Sequence, residues 1–109
     1  MGKFVISVRK DGQFQFNLKA ANGQVVLTSE AYTTEAACRN GIASVKKHAV
    51  DKKFFVKKEA KNGKPYFNLL AANHQVIGSS QMYASIATCD KGIRSVMNNA
   101  PEAEIVYKQ

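Results

Sequence analysis

Two stretches near the N-terminus alternate apolar and polar residues with a period of two, and further along the period lengthens. Phe4 to Arg9 alternates around β-branched and aromatic residues, and Phe14, Phe16 and Leu18 alternate with Gln15, Asn17 and Lys19. This is the pattern of paired strands with one wet face. Asp11-Gly12 reads as a two-residue turn joining them. Asn22-Gly23 reads as a second turn, of type I′, because that turn needs positive φ at both central residues and Asn-Gly supplies it at low cost. A third strand, Gln24 to Thr28, follows. From Cys38 onward apolar positions recur at steps of four, three and four, through Ile42, Val45 and Ala49, which predicts an amphipathic helix.

The whole pattern then repeats. A shift of 51 positions aligns residues 4–49 with 55–100 without a gap, and 21 of the 46 pairs are identical. Phe16 to Val25 falls on Phe67 to Val76, Cys38 on Cys89, Gly41-Ile42 on Gly92-Ile93 and Ser44-Val45 on Ser95-Val96. A match of that length marks an internal duplication. In the second copy the turns are Asn62-Gly63 and Asn73-His74, where histidine replaces glycine but tolerates left-handed geometry.

Thr33 or Thr34 is placed to cap the first helix and Ser85 the second, and Pro101 marks where the second helix has stopped. Lys46, Lys47 and His48 near the end of the first helix complement its dipole. Gly41 and Gly92 each lie one turn from a cysteine. A mid-helix glycine costs about 1 kcal/mol relative to alanine, so its repetition implies close backbone packing, and both cysteines fall on the buried stripe. One more strand follows each helix, Lys53 to Lys58 and then Glu104 to Lys108. The register aligns Phe54-Phe55-Val56-Lys57 with both Lys3 to Ile6 and Ile105 to Lys108, so the middle strand reads as the end of copy one and the start of copy two. The expected fold is α+β, in the order βββαβββαβ, with two helices on one face of a shared, antiparallel-rich sheet.

The run Phe16 to Glu30, followed by Asn40 to Ala49, resembles the YegP-like family of small bacterial proteins, and the likeness extends over both copies. The resemblance implies a three-strand, helix, strand unit, a single sheet built across two units, and exchanged C-terminal strands. Single-copy members of that family pair as dimers. It transfers no catalytic or binding residue to this chain, and fold alone would not settle function.

Chain length and composition suit one domain, residues 1–109, made of repeat one at 1–51 and repeat two at 52–109. Each repeat alone is a size at which little surface is buried, so a shared core is expected. The tandem copies supply the pairing, and a monomer is expected. The longest apolar runs fall far short of the roughly 20 residues of a membrane helix. The N-terminus enters a strand-like run without the features of a signal peptide, so the expected location is cytoplasmic and the thiols reduced.

Charge is the least uniform feature. Lys46, Lys47, Lys52, Lys53, Lys57, Lys58, Lys61 and Lys64 stand against only Asp51 and Glu59, so this segment carries +6 of the net +8. Phe54, Phe55, Tyr66 and Phe67 lie among them. Basic groups beside rings suit phosphates and stacked bases. Lysines flanking an exposed junction equally guard a sheet edge. A second candidate is the polar sheet face of Gln15, Asn17 and Lys19 with Tyr66, Asn68 and Leu70, against an ordinary solvated face. His74 reads as a turn residue and not a ligand. No phosphate loop, nucleophile elbow, acid/base pair or metal-ligand spacing stands out, so no catalytic residue, cofactor or metal is assigned. The reading is a small cytoplasmic binding or interaction module whose biochemical function and partner are left open, with nucleic acid or an acidic protein as candidate partners and no membrane partner. The alternatives are weak binding of RNA or single-stranded DNA through the lysine-rich junction and, behind it, an enzyme.

Overall fold

The structure, a computed structural model, describes residues 2–108. Strands β1 (Lys3–Val8), β2 (Phe14–Lys19) and β3 (Val25–Thr28) precede helix α1 (Glu35–His48). A 3-10 turn over Lys52–Phe54 leads into β4 (Phe55–Glu59), β5 (Pro65–Leu70) and β6 (Val76–Ser79), followed by α2 (Ile86–Asn99) and β7 (Glu104–Tyr107). The protein is α+β, with the seven strands in a single sheet ordered β4-β5-β6-β3-β2-β1-β7. Neighbours are antiparallel except β7, which leaves copy two and lies parallel to β1 of copy one.

The copies meet where β3 pairs with β6, Thr28 opposite Ser79. These are equivalent residues of the two repeats, so a pseudo-two-fold axis passes between them, as in a symmetric dimer interface. On the adjacent core side sit Leu27 and its counterpart Gly78. A Cβ built on Gly78 would fall 2.7 Å from Leu27 Cγ, so one leucine fills the space that two would overfill. A dimer of identical units must place the same residue on both sides of such an axis. The tandem chain is free of that restriction and uses a large and a small one.

Phe4, Phe16, Leu18, Ile42 and Val45 of copy one and Phe67, Leu69, Ile93 and Val96 of copy two belong to one buried cluster. Helix α1 packs on β2 and crosses to β5 and β6, while α2 packs on β5 and crosses to β3. The helix glycines serve a purpose beyond backbone approach. Tyr32 stacks on Phe16 with centroids 6.3 Å apart and planes at 11°, and Tyr83 repeats this on Phe67. A Cβ on Gly41 would stand 2.7 Å from Tyr32 Cζ, and one on Gly92 2.6 Å from Tyr83 Cζ. Each glycine clears room for a tyrosine under the helix, which outweighs its poor helix propensity.

The turns differ from the type I′ expectation. Ala20 N–H donates to Gln24 O and Gly23 N–H to Ala20 O, so the loop holds three residues, and Asn22 has no positive φ. The Asn22 side chain accepts the Gln24 N–H at 3.0 Å, which keeps Asn22 in ordinary geometry and leaves only Gly23, at φ 84°, left-handed. This is a type I turn closed by a bulge. Asp11, Asn62 and Asn73 do the same, and His74 takes the left-handed place at φ 70°. The middle strand also starts later than its pattern predicts. Asp51 caps the 3-10 turn by accepting Lys53 N–H at 3.0 Å, so Lys53 and Phe54 lie outside β4.

Thr34, not Thr33, caps α1, and Ser85 with Thr88 forms a capping box on α2. His48 does not act as a cation at the helix end. It is buried, its Nε2 accepts the Ala72 N–H at 3.1 Å, and its Nδ1 lies 2.8 Å from Ser44 O. That pairing requires the neutral ring with the proton on Nδ1. His48 thereby fastens α1 of copy one to the β5–β6 turn of copy two, a role its counterpart Asn99 lacks, since Asn99 bonds Ser95 O in its own helix.

Leu27→Gly should destabilise by about 3–5 kcal/mol through the cavity it leaves, and Gly78→Leu by about 1–3 kcal/mol through overpacking. Urea melts of the double exchange, Leu27→Gly with Gly78→Leu, should recover about 1–3 kcal/mol of the sum. Strict additivity would show that the two positions do not share one space.

Candidate interaction surface

Strand β4 is the sheet edge on the copy-two side and, among the described residues, pairs only with β5. Six of the eight junction lysines lie on it or at its ends. Lys52 and Lys53 occupy the turn before it, Lys57 and Lys58 belong to it, Lys61 sits in the three-residue loop after it, and Lys64 closes that loop opposite Ala60. All six are exposed. Lys46 and Lys47 end α1, and the Lys46 ammonium turns toward β1, 5.8 Å from the centre of the Phe4 ring. The eight therefore do not form one cluster; six are distributed along β4 and at its two ends, and Lys46 turns elsewhere.

Strand alternation divides the β4 pair. Phe55 is buried on the helix-bearing face, so Lys57 projects on that face and Lys58 on the other. Lys57 Nζ meets Asp90 Oδ1 at 2.7 Å, and this hydrogen bond holds the Asp90 carboxyl below its ordinary range. Lys53 lies 3.7 Å from Asp51. Among the described residues, no carboxylate comes within ion-pair distance of Lys52, Lys58, Lys61 or Lys64.

The aromatic part of the pattern is largely spent on folding. Phe55 and Phe67 are core residues in edge-to-face contact, centroids 5.7 Å apart. Phe54 is half-buried and packs edge-on against His48 at 4.7 Å, with Lys53 over its ring. Tyr66 alone of the four stands on the outer sheet face without such a contact. That face is also less available than its composition suggests, since Asn68 is buried and its Oδ1 accepts the Ser79 hydroxyl at 2.7 Å. The repeated Ser29 and Ser80 are structural: each hydroxyl accepts a strand amide, from Phe16 or Phe67, at 2.9 Å.

Next to β4, residues Lys57, Lys58, Glu59, Gly63, Pro65 and Ile86 line an open cavity of about 400 Å³. A cavity of about 450 Å³ lies beyond the same hairpin, between Lys61, Tyr66 and Met82. Ile86 and Met82 are exposed apolar residues. Sequence reasoning missed both; the signal available was Ile86 standing where copy one has the charged Glu35. Among the described residues no three His, Cys, Asp or Glu side chains are grouped to hold a metal ion, and no helix is long and apolar enough to cross a membrane.

Two stretches, residues 10–55 and 60–106, match the family described as a domain of unknown function, DUF1508. Fold and repeats together thus define a class: a tandem protein in which two such units share one sheet. A UPF0339 protein of Acinetobacter baylyi is 56% identical over 95% of this chain and 94% of its own. UPF0339 protein YegP of Escherichia coli O157:H7 is 53% identical over 90% and 89%. The solution structure of a UPF0339 protein from Shewanella oneidensis matches with TM-score 0.91 at 50% identity, covering 97% of this chain and 90% of that one. That of yegP from E. coli, a protein of unknown function, matches with TM-score 0.93 at 48% identity, covering 98% and 92%. The chain belongs to the UPF0339, YegP-like family.

Cys38 and Cys89 are fully buried, and desolvation pushes both thiols above their ordinary value of 9.0. A thiolate is the reactive species, so labelling by a disulfide reagent at pH 8 should be slow and track unfolding. A raised folded value means that the native state keeps its proton where the unfolded chain has lost it. Stability should therefore be unaffected by the thiols below pH 9 and fall as pH rises beyond it. Rapid native labelling would refute the burial account.

Proposed function

We propose that this protein is a binding module that takes an acidic protein segment on the β4 side of its sheet. One observation carries the reading: four lysines without carboxylate partners, with Lys53 and Lys57, line an edge strand that is unpaired on its outer side. Clustered like charges destabilise a fold through self-repulsion and raise the association rate of an oppositely charged partner. Apolar Ile86 and Met82 beside the cluster add contact area that a purely electrostatic guard would not need.

Nucleic acid is the second reading, favoured by the same lysines. It is the weaker one, because single-strand binding uses ring faces as stacking platforms and Phe55 and Phe67 are buried. We also infer that residues 1–109 act as one domain, a reading supported by the single core cluster drawn from both repeats.

Neutralising Lys52, Lys53, Lys58 and Lys61 together as glutamines removes charge from exposed positions only. Binding of polyglutamate and of a single-stranded oligonucleotide, measured by fluorescence anisotropy across a salt series, should weaken at least tenfold in the variant at low salt. The wild-type protein should prefer the carboxylate polymer at equal charge. Equal affinity of variant and wild type for both polymers would remove the β4 side as the binding surface.

A further inference from the structure

The two repeats pair their first two strands in the same register: Phe4 faces Leu18 and Ile6 faces Phe16, as Phe55 faces Leu69 and Lys57 faces Phe67. Beyond that they differ. The outer side of β1 is covered by β7, with Lys3 beside Glu104 and Ile6 beside Tyr107, and Lys108 N–H donates to Ile6 O at 2.9 Å. Among the described residues, no strand lies on the outer side of β4. In an antiparallel ladder a residue's N–H and C=O point to the same side, so Lys57, the counterpart of Ile6, turns both toward the open side, as does Glu59 two residues on. Phe55 N–H is already closed onto Lys52 O.

On the covered side, Tyr107 fixes β7 to the start of α1. Its hydroxyl donates to Glu35 and accepts from Arg39, and the guanidinium lies over its ring. On the open side the counterparts of Ile6, Glu35 and Arg39 are Lys57, Ile86 and Asp90. Lys57 and Ile86 line the cavity of about 400 Å³, and Ile86 is 64% exposed. Resting on the acidic-partner reading above, we propose that an extended acidic segment of another protein adds to β4 in parallel, in the register that β7 shows on β1. Its fourth residue, large and apolar or aromatic, enters the cavity against Ile86. Acidic residues around it meet Lys52, Lys58 and Lys61. This is strand addition, in which main-chain bonds supply affinity and alternate side chains supply specificity. A second copy of the chain does not suit the edge, because its own β7 lies on its own β1 and two β4 edges would bring their lysines together.

The test is a nuclear magnetic resonance titration of the ¹⁵N-labelled full chain with a synthetic peptide carrying Glu-Ile-Val-Tyr between two acidic residues on each side. The expected result is at least tenfold slower exchange of the Lys57 and Glu59 amides, with shifts at Ile86 and Asp90. A spin label on the peptide N-terminus should broaden Phe55 more than Glu59. Tyr→Ala in the peptide, or Ile86→Glu in the protein, should each weaken binding at least tenfold, and Ile86→Glu alters an exposed position that folding does not use. Binding without protection of those two amides would overturn strand addition while leaving the acidic-partner reading intact. Absence of binding by this peptide and by polyglutamate would overturn both. Shifts on β1, or concentration-dependent protection of β4 without peptide, would place the segment or a second copy elsewhere and overturn the proposal.

Discussion

The pairing of β3 with β6 is the constraint on which the rest depends. There the two hairpin sets of the sheet join, through Thr28 and Ser79 about a pseudo-two-fold axis, and β7 of copy two adds a second link by pairing with β1 of copy one. From it follow the crossing of each helix onto the other repeat and the merging of two small cores into one. A single repeat would leave the inner edge of β3 and the underside of its helix without a partner. At about fifty residues such a unit is too small to hold a stable core by itself.

Duplication in one chain loosens what symmetry would otherwise demand. Leu27 over Gly78 is an unequal pair at the axis. His48 hydrogen-bonds to the opposite repeat where the Asn99 amide donates within its own helix. At the outer edges the same freedom has a functional consequence. β7 closes the β1 side and Tyr107 engages Glu35, whose carboxyl is held below its ordinary range first by that hydroxyl and then by Arg39. On the β4 side, lysines and an exposed isoleucine stand in the equivalent places. On the first repeat's flank β7 extends the sheet beyond β1, whereas on the second repeat's flank the sheet ends at β4 itself.

The period-two and period-three-to-four patterns made the seven strands, two helices and their order legible, because each element buries one face and its residues record which. The cysteines and the caps were legible for the same reason. Turn geometry was not: Asn22-Gly23 fits a two-residue turn as well as a three-residue one, and only the side-chain bond from Asn22 to the Gln24 amide decides. The purpose of Gly41 was also hidden, since Tyr32 meets it through the fold and not along the helix. At the candidate surface the lysines were visible, but not that Lys46 faces away from β4, that Phe55 and Phe67 are core, or that Ile86 borders a cavity. Strand order decides those points, and strand order is a long-range property.

Native-state hydrogen exchange tests the central claim most directly, that two repeats make one cooperative body. The amides of Phe16 and Val45 in copy one and Phe67 and Val96 in copy two lie in the shared core. They should exchange through one global opening, with free energies agreeing within about 1 kcal/mol of each other and of the value from denaturant unfolding. If one set opened more than about 2 kcal/mol more easily while the other stayed protected, the repeats would be separate folding units, and the shared-sheet account would be contradicted.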